Sequence, residues 1–259
     1  MDKLSRRNFL SITALGGATL LPKPGLSFAN TSLLAGQEEK NLTFLFQGDS
    51  ITDGNRGRSA DPNHIMGHGY AFAIASRLAA DFAENNFSFF NRGICGNRIP
   101  DLQSRWQQDT LPLKPDVLSI LIGINDVDAV VHQWDSGQNE AQFKADYRAL
   151  LQQSQAAKPD TLFVLAPPFV YRSPKTEDAW NLWNTEVQKR REAVKELAQE
   201  FDAVLVDYTP VFEKAMKRQA AEYWIWDGIH PTIAGHEIMA REWIKKVSGR
   251  LKFMKRYQY

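Results

Sequence analysis

The sequence predicts an α/β protein, a three-layer α/β/α sandwich on a mostly parallel five-stranded sheet, and three observations point there. From Leu42 onward, short β-branched or aromatic runs alternate with longer amphipathic stretches, the pattern of successive βα units. The short runs are almost continuously apolar, as strands are when helices cover both faces of a sheet. Four polar words fall behind these runs, at the carboxyl ends of strands, which is where open α/β sheets bind ligands. At 259 residues, with 43% hydrophobic and 24% charged, the chain fits a single globular domain with a sizeable core.

Taken in order, the apolar runs place strands at 42–47, 87–91, 117–122, 162–166 and 203–206. Helical periodicity covers 70–82, a short stretch at 101–108, then 141–157, 179–201, 210–220 and 233–251. Pro231 sits just ahead of the last of these, where a helix's first turn tolerates a missing N–H. The domain therefore spans 41–250, with 30–40 as a linker and 251–259 as a basic, aromatic tail. There is no internal repeat and no low-complexity tract.

Residues 1–29 stand apart from the fold. Lys3, Arg6 and Arg7 make a basic n-region, apolar residues 9–21 follow, and Ser27-Phe28-Ala29 supplies the small side chains a signal peptidase needs. The run Ser5-Arg6-Arg7-Asn8-Phe9-Leu10 resembles the twin-arginine export motif, which implies a protein exported to the bacterial periplasm or beyond; a Sec signal or a retained anchor are the alternatives. Asn30 is the expected mature N-terminus. Cleavage there removes four basic residues and one acidic residue, taking the formal charge from +1 to −2.

With no long run of Lys or Arg, nucleic acid is not an expected partner. No later stretch reaches the eighteen or so apolar residues of a membrane span, so none is expected after cleavage. A single cysteine, Cys95, excludes an internal disulfide framework. Homo-oligomers remain open.

The four words are Gly48-Asp49-Ser50-Ile51-Thr52, Asn91-Arg92-Gly93-Ile94-Cys95-Gly96, Gly123-Ile124-Asn125-Asp126 and Asp227-Gly228-Ile229-His230. Ser50 is a weak nucleophile unless a base takes its proton, and His230 is the candidate base. Asp227, three residues earlier, can accept from the ring Nδ1–H and fix the tautomer. A tetrahedral oxyanion needs preorganised donors, for which the Gly96 N–H, the Asn125 amide and the Ser50 N–H are the candidates. Any one word alone describes a turn or a helix start; their shared location at strand ends carries the reading.

At these residues the chain resembles the SGNH subgroup of the GDSL hydrolases, whose Ser, Gly, Asn and His match Ser50, Gly96, Asn125 and His230 in family order. The resemblance covers about residues 42–250. It implies a flavodoxin-like sheet of order 2-1-3-4-5 and cofactor-free ester hydrolysis through an acyl-serine. Cys95 departs from the serine common in the second block, and a small side chain there leaves the Gly96 donor in place. The Gly-x-Ser-x-Gly elbow of α/β-hydrolases is missing around Ser50.

Gly67-His68-Gly69-Tyr70, the Gly96-Asn97-Arg98 run and the word from Pro115 to Asp126 resemble acetylxylan esterases acting on xylo-oligosaccharides, which implies deacetylation of sugar hydroxyls. Trp224 and Trp226, alternating ahead of Asp227, are candidate sugar platforms, with packing as the alternative. A lysophospholipase or thioesterase, and a non-catalytic carbohydrate-binding relative, are the competing functions. His64 and His68 lie four apart, but the glycines around them and the missing Glu argue against zinc, so no metal is expected. His132 and His236 are read as surface or packing residues, and Cys95 as a small packed one.

Overall fold

Phe44, Leu45 and Phe46 are all fully buried on one strand, so β1 (Thr43–Gly48) must be covered on both faces. The structure, a computed structural model, describes residues 39–59, 61–134 and 139–257. The expected leader, 1–29, and most of the linker lie outside them.

Four further strands, β2 (Ser88–Asn91), β3 (Val117–Leu121), β4 (Leu162–Ala166) and β5 (Val204–Leu205), join β1 in one parallel sheet of order β2-β1-β3-β4-β5. This is the three-layer fold and the strand order expected. Alternation along each strand sends neighbours to opposite layers. Phe44, Phe46, Val117 and Val164 meet Tyr70, Ile74 and Leu78 of α2 (Tyr70–Asp81) and Met239, Trp243 and Val247 of the final helix. On the other face, Leu45, Leu118, Ile120 and Leu165 meet Leu102 and Trp106 of α3 (Ile99–Asp109). Phe143 and Leu150 of α5 (Glu140–Ala157) and Val194 of α6 (Trp180–Glu200) complete that layer.

Two buried side-chain bonds, one on each face, tie the layers to the sheet. Trp243 Nε1 donates to Ser119 Oγ at 3.0 Å, and Gln47 Nε2 donates to Thr110 Oγ1 at 2.7 Å. Each satisfies a polar atom that would otherwise be desolvated without a partner.

The differences from expectation are local. Two short helices, α1 (Ser50–Asp53) and α4 (Ile124–Val131), begin inside the first and third words, where no helical periodicity is expected from the sequence. The expected helix 210–220 is α7 (Thr209–Met216), followed by a separate α8 (Ala221–Trp224). The apolar stripe of α7 runs out at Met216, and residues 217–220 are exposed with nothing to bury.

The last helix, α9 (Ile233–Val247), stops short of 251 ahead of Ser248-Gly249. The tail then folds back as a 3₁₀ turn, Phe253–Arg256, burying Leu251 and Met254. Phe253 packs 4.9 Å from Phe82 and 4.7 Å from Phe87, ring centre to ring centre. The Glu39 carboxylate accepts from the Lys252 and Phe253 N–H groups at 2.7 Å each.

Candidate active site

β1 ends where only glycine fits. A Cβ on Gly48 would stand 2.3 Å from the Leu121 carbonyl oxygen of β3 and 2.4 Å from Thr52 Oγ1. That close approach lets the chain turn at once into α1, capped by Asp49, whose Oδ1 accepts the Ile51 N–H at 3.0 Å. Ser50 is the first residue of α1, so its N–H has no intrahelical acceptor.

Asn91, buried at the end of β2, ties this turn to its neighbours. Its Nδ2 donates to the carbonyls of Thr52 (2.7 Å), Asp53 (3.2 Å) and Met66 (3.0 Å), while its Oδ1 accepts the Gly93 N–H at 2.9 Å. The 66–69 loop, the Ser50 turn and the second word are thereby held by one amide.

His230 reaches the same place from the far end of the chain. Its Nε2 lies 2.9 Å from Ser50 Oγ, across 180 residues of sequence. Its Nδ1 lies 2.7 Å from Asp227 Oδ2, and Asp227 Oδ1 accepts the backbone N–H of Ile229 (3.0 Å) and of His230 (2.7 Å). Ser173 Oγ donates to the Asp227 carbonyl at 2.7 Å, and an antiparallel bridge between Ile225 and Pro231 closes the loop. Burial opposes ionisation of Asp227, but the hydrogen bonds from His230 and Ile229 outweigh it and bring the carboxyl down to about 2. An ionised Asp227 makes Nδ1 the donor, leaving the Nε2 lone pair free to accept the Ser50 hydroxyl proton.

The candidate oxyanion donors come from two more strand ends. Gly96 has φ +81°, nothing within 4 Å of where a Cβ would stand, and an exposed position between β2 and α3. Asn125, in the first turn of α4, donates from Nδ2 to the Asn97 carbonyl at 3.1 Å, and its second amide hydrogen stays available. The loop that carries Gly96 is held from two more sides. Asp53 Oδ2 accepts the Cys95 N–H at 3.0 Å, and Asp126 Oδ1 accepts the Ile99 N–H at 3.2 Å. Arg56 Nε donates to the Gly93 carbonyl at 2.9 Å.

Two buried carboxyls underlie this end of the sheet. Burial pushes Asp49 up to about 7, and burial likewise pushes Asp126 up to about 7. The negative charge of Asp126 further disfavours ionisation of Asp49. Asp126 Oδ2 has no hydrogen-bond partner.

Beside the Ser50–His230 pair lies a cleft of about 230 Å³ bordered by Asn55, His68, Trp226 and His236. The two candidate platforms part here. Trp226 is 61% exposed and stacks on the His230 ring, with centroids 6.0 Å apart and planes 24° from parallel. Trp224 is only 5% exposed and belongs to the core, so its indole has no face to offer a sugar, and the expectation is corrected. The reason is that α8 ends at Trp224 while Trp226 lies in the following loop, so the two side chains leave the backbone in different directions.

His236, expected to be a surface or packing residue, does pack, its ring 13° from parallel to that of Tyr70, and it also borders the cleft, whereas Cys95 is exposed rather than packed. Asn55 and His68 escaped notice as cleft residues. For His68 and His236 the available signal was a histidine beside a glycine, in Gly67-His68-Gly69 and Gly235-His236.

The sequence profile of the GDSL-like lipase/acylhydrolase family matches residues 46–238. An acetylxylan esterase from Geobacillus stearothermophilus is 32% identical over 211 residues, which are 78% of this chain and 92% of that protein. Among solved structures, a Parabacteroides merdae protein described as a GDSL-like lipase superposes with a TM-score of 0.76 at 35% identity, covering 82% of this chain and 97% of that one. The crystal structure of the Geobacillus esterase superposes with a TM-score of 0.68 at 30% identity, over 80% of this chain and 94% of that one. Solved catalytic mutants of that esterase replace one aspartate, one serine and one histidine by alanine.

Proposed function

This chain belongs to the GDSL-like lipase/acylhydrolase family and is a carboxylic ester hydrolase, and from that premise we propose that it removes acetyl groups from acetylated xylo-oligosaccharides or related glycans through an acyl-serine. The observation that carries the mechanism is the unbroken line from Asp227 through His230 to Ser50, at 2.7 Å and 2.9 Å.

In this reading Ser50 Oγ attacks the ester carbonyl as its proton passes to His230 Nε2. The oxyanion is met by the N–H groups of Ser50 and Gly96 and by Asn125 Nδ2, donors held in place before the substrate arrives. Collapse breaks the bond to the alcohol oxygen, which takes the proton back from Nε2, and leaves acetyl on Ser50. Water, activated by the same His230, then releases acetate and restores the serine.

Support for a small acyl group and a sugar comes from the cleft. It is small, about 230 Å³, and its lining combines Asn55, His68 and His236 with the exposed indole of Trp226, whose flat face suits a pyranose ring. The leader supports export, by the twin-arginine route if replacing Arg6 and Arg7 by lysine retains the protein in the cytoplasm.

The test is acetate release from acetylated xylo-oligosaccharides, with nitrophenyl acetate as a generic ester and Ser50→Ala in parallel. The expected result is acetate from the sugar, falling roughly 10⁴- to 10⁶-fold in the variant. Turnover of nitrophenyl acetate alone would keep the serine mechanism and discard the glycan. Unchanged activity in Ser50→Ala would discard the mechanism.

A further inference from the structure

His236 is the side chain at the cleft whose hydrogen bonding is half spent. Its Nδ1 accepts the Tyr70 N–H at 3.1 Å, the first backbone donor of α2, so the neutral ring must carry its proton on Nε2. No acceptor among the described residues takes that proton, and His236 borders the cleft together with Ser50, His230 and Trp226. Burial, helped by positive charge on His68 and His230, lowers its pKa to about 4, so the ring keeps one tautomer and one N–H donor over the working range.

The chemistry fixes which part of the substrate this donor faces. His230 must return a proton to the leaving oxygen, so the alcohol half of the ester lies on the His230 side of Ser50. That is the side occupied by Trp226 and His236, whereas the oxyanion donors Gly96 and Asn125 belong to the words at the ends of β2 and β3.

We propose that the His236 Nε2–H is a specificity determinant that donates a hydrogen bond to a hydroxyl or ring oxygen of the sugar while Trp226 covers its face. The inference rests on the glycan-ester reading above. A site built around a fixed donor favours substrates that supply an acceptor, because the alternative leaves a desolvated N–H unpaired. A simple aryl ester gains nothing from it.

Two measurements test this. In His236→Phe, kcat/KM for an acetylated xylo-oligosaccharide is expected to fall about three- to tenfold further than kcat/KM for nitrophenyl acetate, mainly through KM. In the unaltered protein, labelled with ¹⁵N-histidine, the His236 Nε2 resonance is expected to shift when xylobiose is added at concentrations that inhibit sugar-ester hydrolysis. The second measurement stands even if the phenylalanine variant fails to fold. Equal losses on both esters, or a resonance unmoved by inhibitory xylobiose, would overturn the role of His236 while leaving the glycan reading intact. An unaltered protein that releases no acetate from any sugar ester overturns the glycan reading, and this inference with it.

Discussion

Asn125 is the residue at which donor chemistry and scaffolding can be separated. Its Nδ2 already bonds the Asn97 carbonyl at 3.1 Å, which sets the amide plane before any substrate binds and leaves one hydrogen for the proposed oxyanion contact. Asn125→Ala is therefore expected to lower kcat about 10²- to 10³-fold with little change in KM, because the lost bond forms only as charge develops on the oxygen. A kcat within about threefold of the parent would remove Asn125 from the hole. Asp227→Asn makes a different demand. It keeps most of the shape but offers His230 an amide that can turn its donor toward Nδ1, favouring the wrong tautomer, and a fall of about 10⁴-fold in kcat is expected in steady-state assays. The placement of these residues was legible in the sequence because each word carries its candidate residue at a strand's end, where a few bonds fix it. The Asp227 pairing is the plainest example, since the side chain accepts from its own loop at Ile229 and His230. Trp224 was misread at this same scale. Alternation in a sequence implies a shared face only if the backbone is extended, and here a helix ends between the two tryptophans.

Among the elements, the C-terminal segment carries more than its sequence suggested. Read as a basic, aromatic tail, it instead closes the edge of the layer formed by α2 and β2, with Met254 buried and Phe253 between Phe82 and Phe87. The periodicity of 233–251 concealed this, because Leu251 continues the apolar spacing of α9 although the helix has stopped at Val247. Burial of Leu251 by a turned-back chain and by a continuing helix looks the same in one dimension. Met254→Ala is expected to destabilise the protein by about 2–5 kcal/mol, the range for emptying a buried Met site, with kcat per folded molecule unchanged. Thermal melting with a parallel nitrophenyl acetate assay checks both halves. An unshifted melting temperature would mean that the tail packs loosely in solution. The five strands were recovered from the sequence with no end shifted by more than one residue, because buried parallel strands are short apolar runs without competing signals. The brief helices α1 and α4 were not, since four and eight residues give too few turns for an amphipathic pattern to emerge.

At the scale of the whole molecule, what no local pattern could reveal is the cleft, assembled from Asn55, His68, Trp226 and His236 at three separate places in the chain. The same convergence concentrates carboxyls beneath the site, and their linkage to folding has opposite signs. Asp227 sits at about 2, below its ordinary 3.8, so the stability it contributes is present above pH ~4 and is lost as pH falls toward ~2. Asp49 and Asp126 sit at about 7, above the same ordinary value, so the folded state holds protons that the unfolded chain has released. Their effect is a loss of stability as pH rises from ~4 through ~7, levelling off once both are ionised in the folded state. Asp126→Asn tests this with least disturbance, because its side-chain oxygen can still accept the Ile99 N–H now bound at 3.2 Å while the charge facing Asp49 is gone. The variant is expected to lose less melting temperature than the parent between about pH 4 and about pH 7, the window in which the folded pair holds protons that the unfolded chain has released. Removing one charge also eases ionisation of the other, so the two substitutions, Asp49→Asn and Asp126→Asn, are expected to be less than additive when combined. Parallel melting curves for parent and variants across that window would show instead that both carboxyls are ionised throughout, with the cost of burying them carried at every pH.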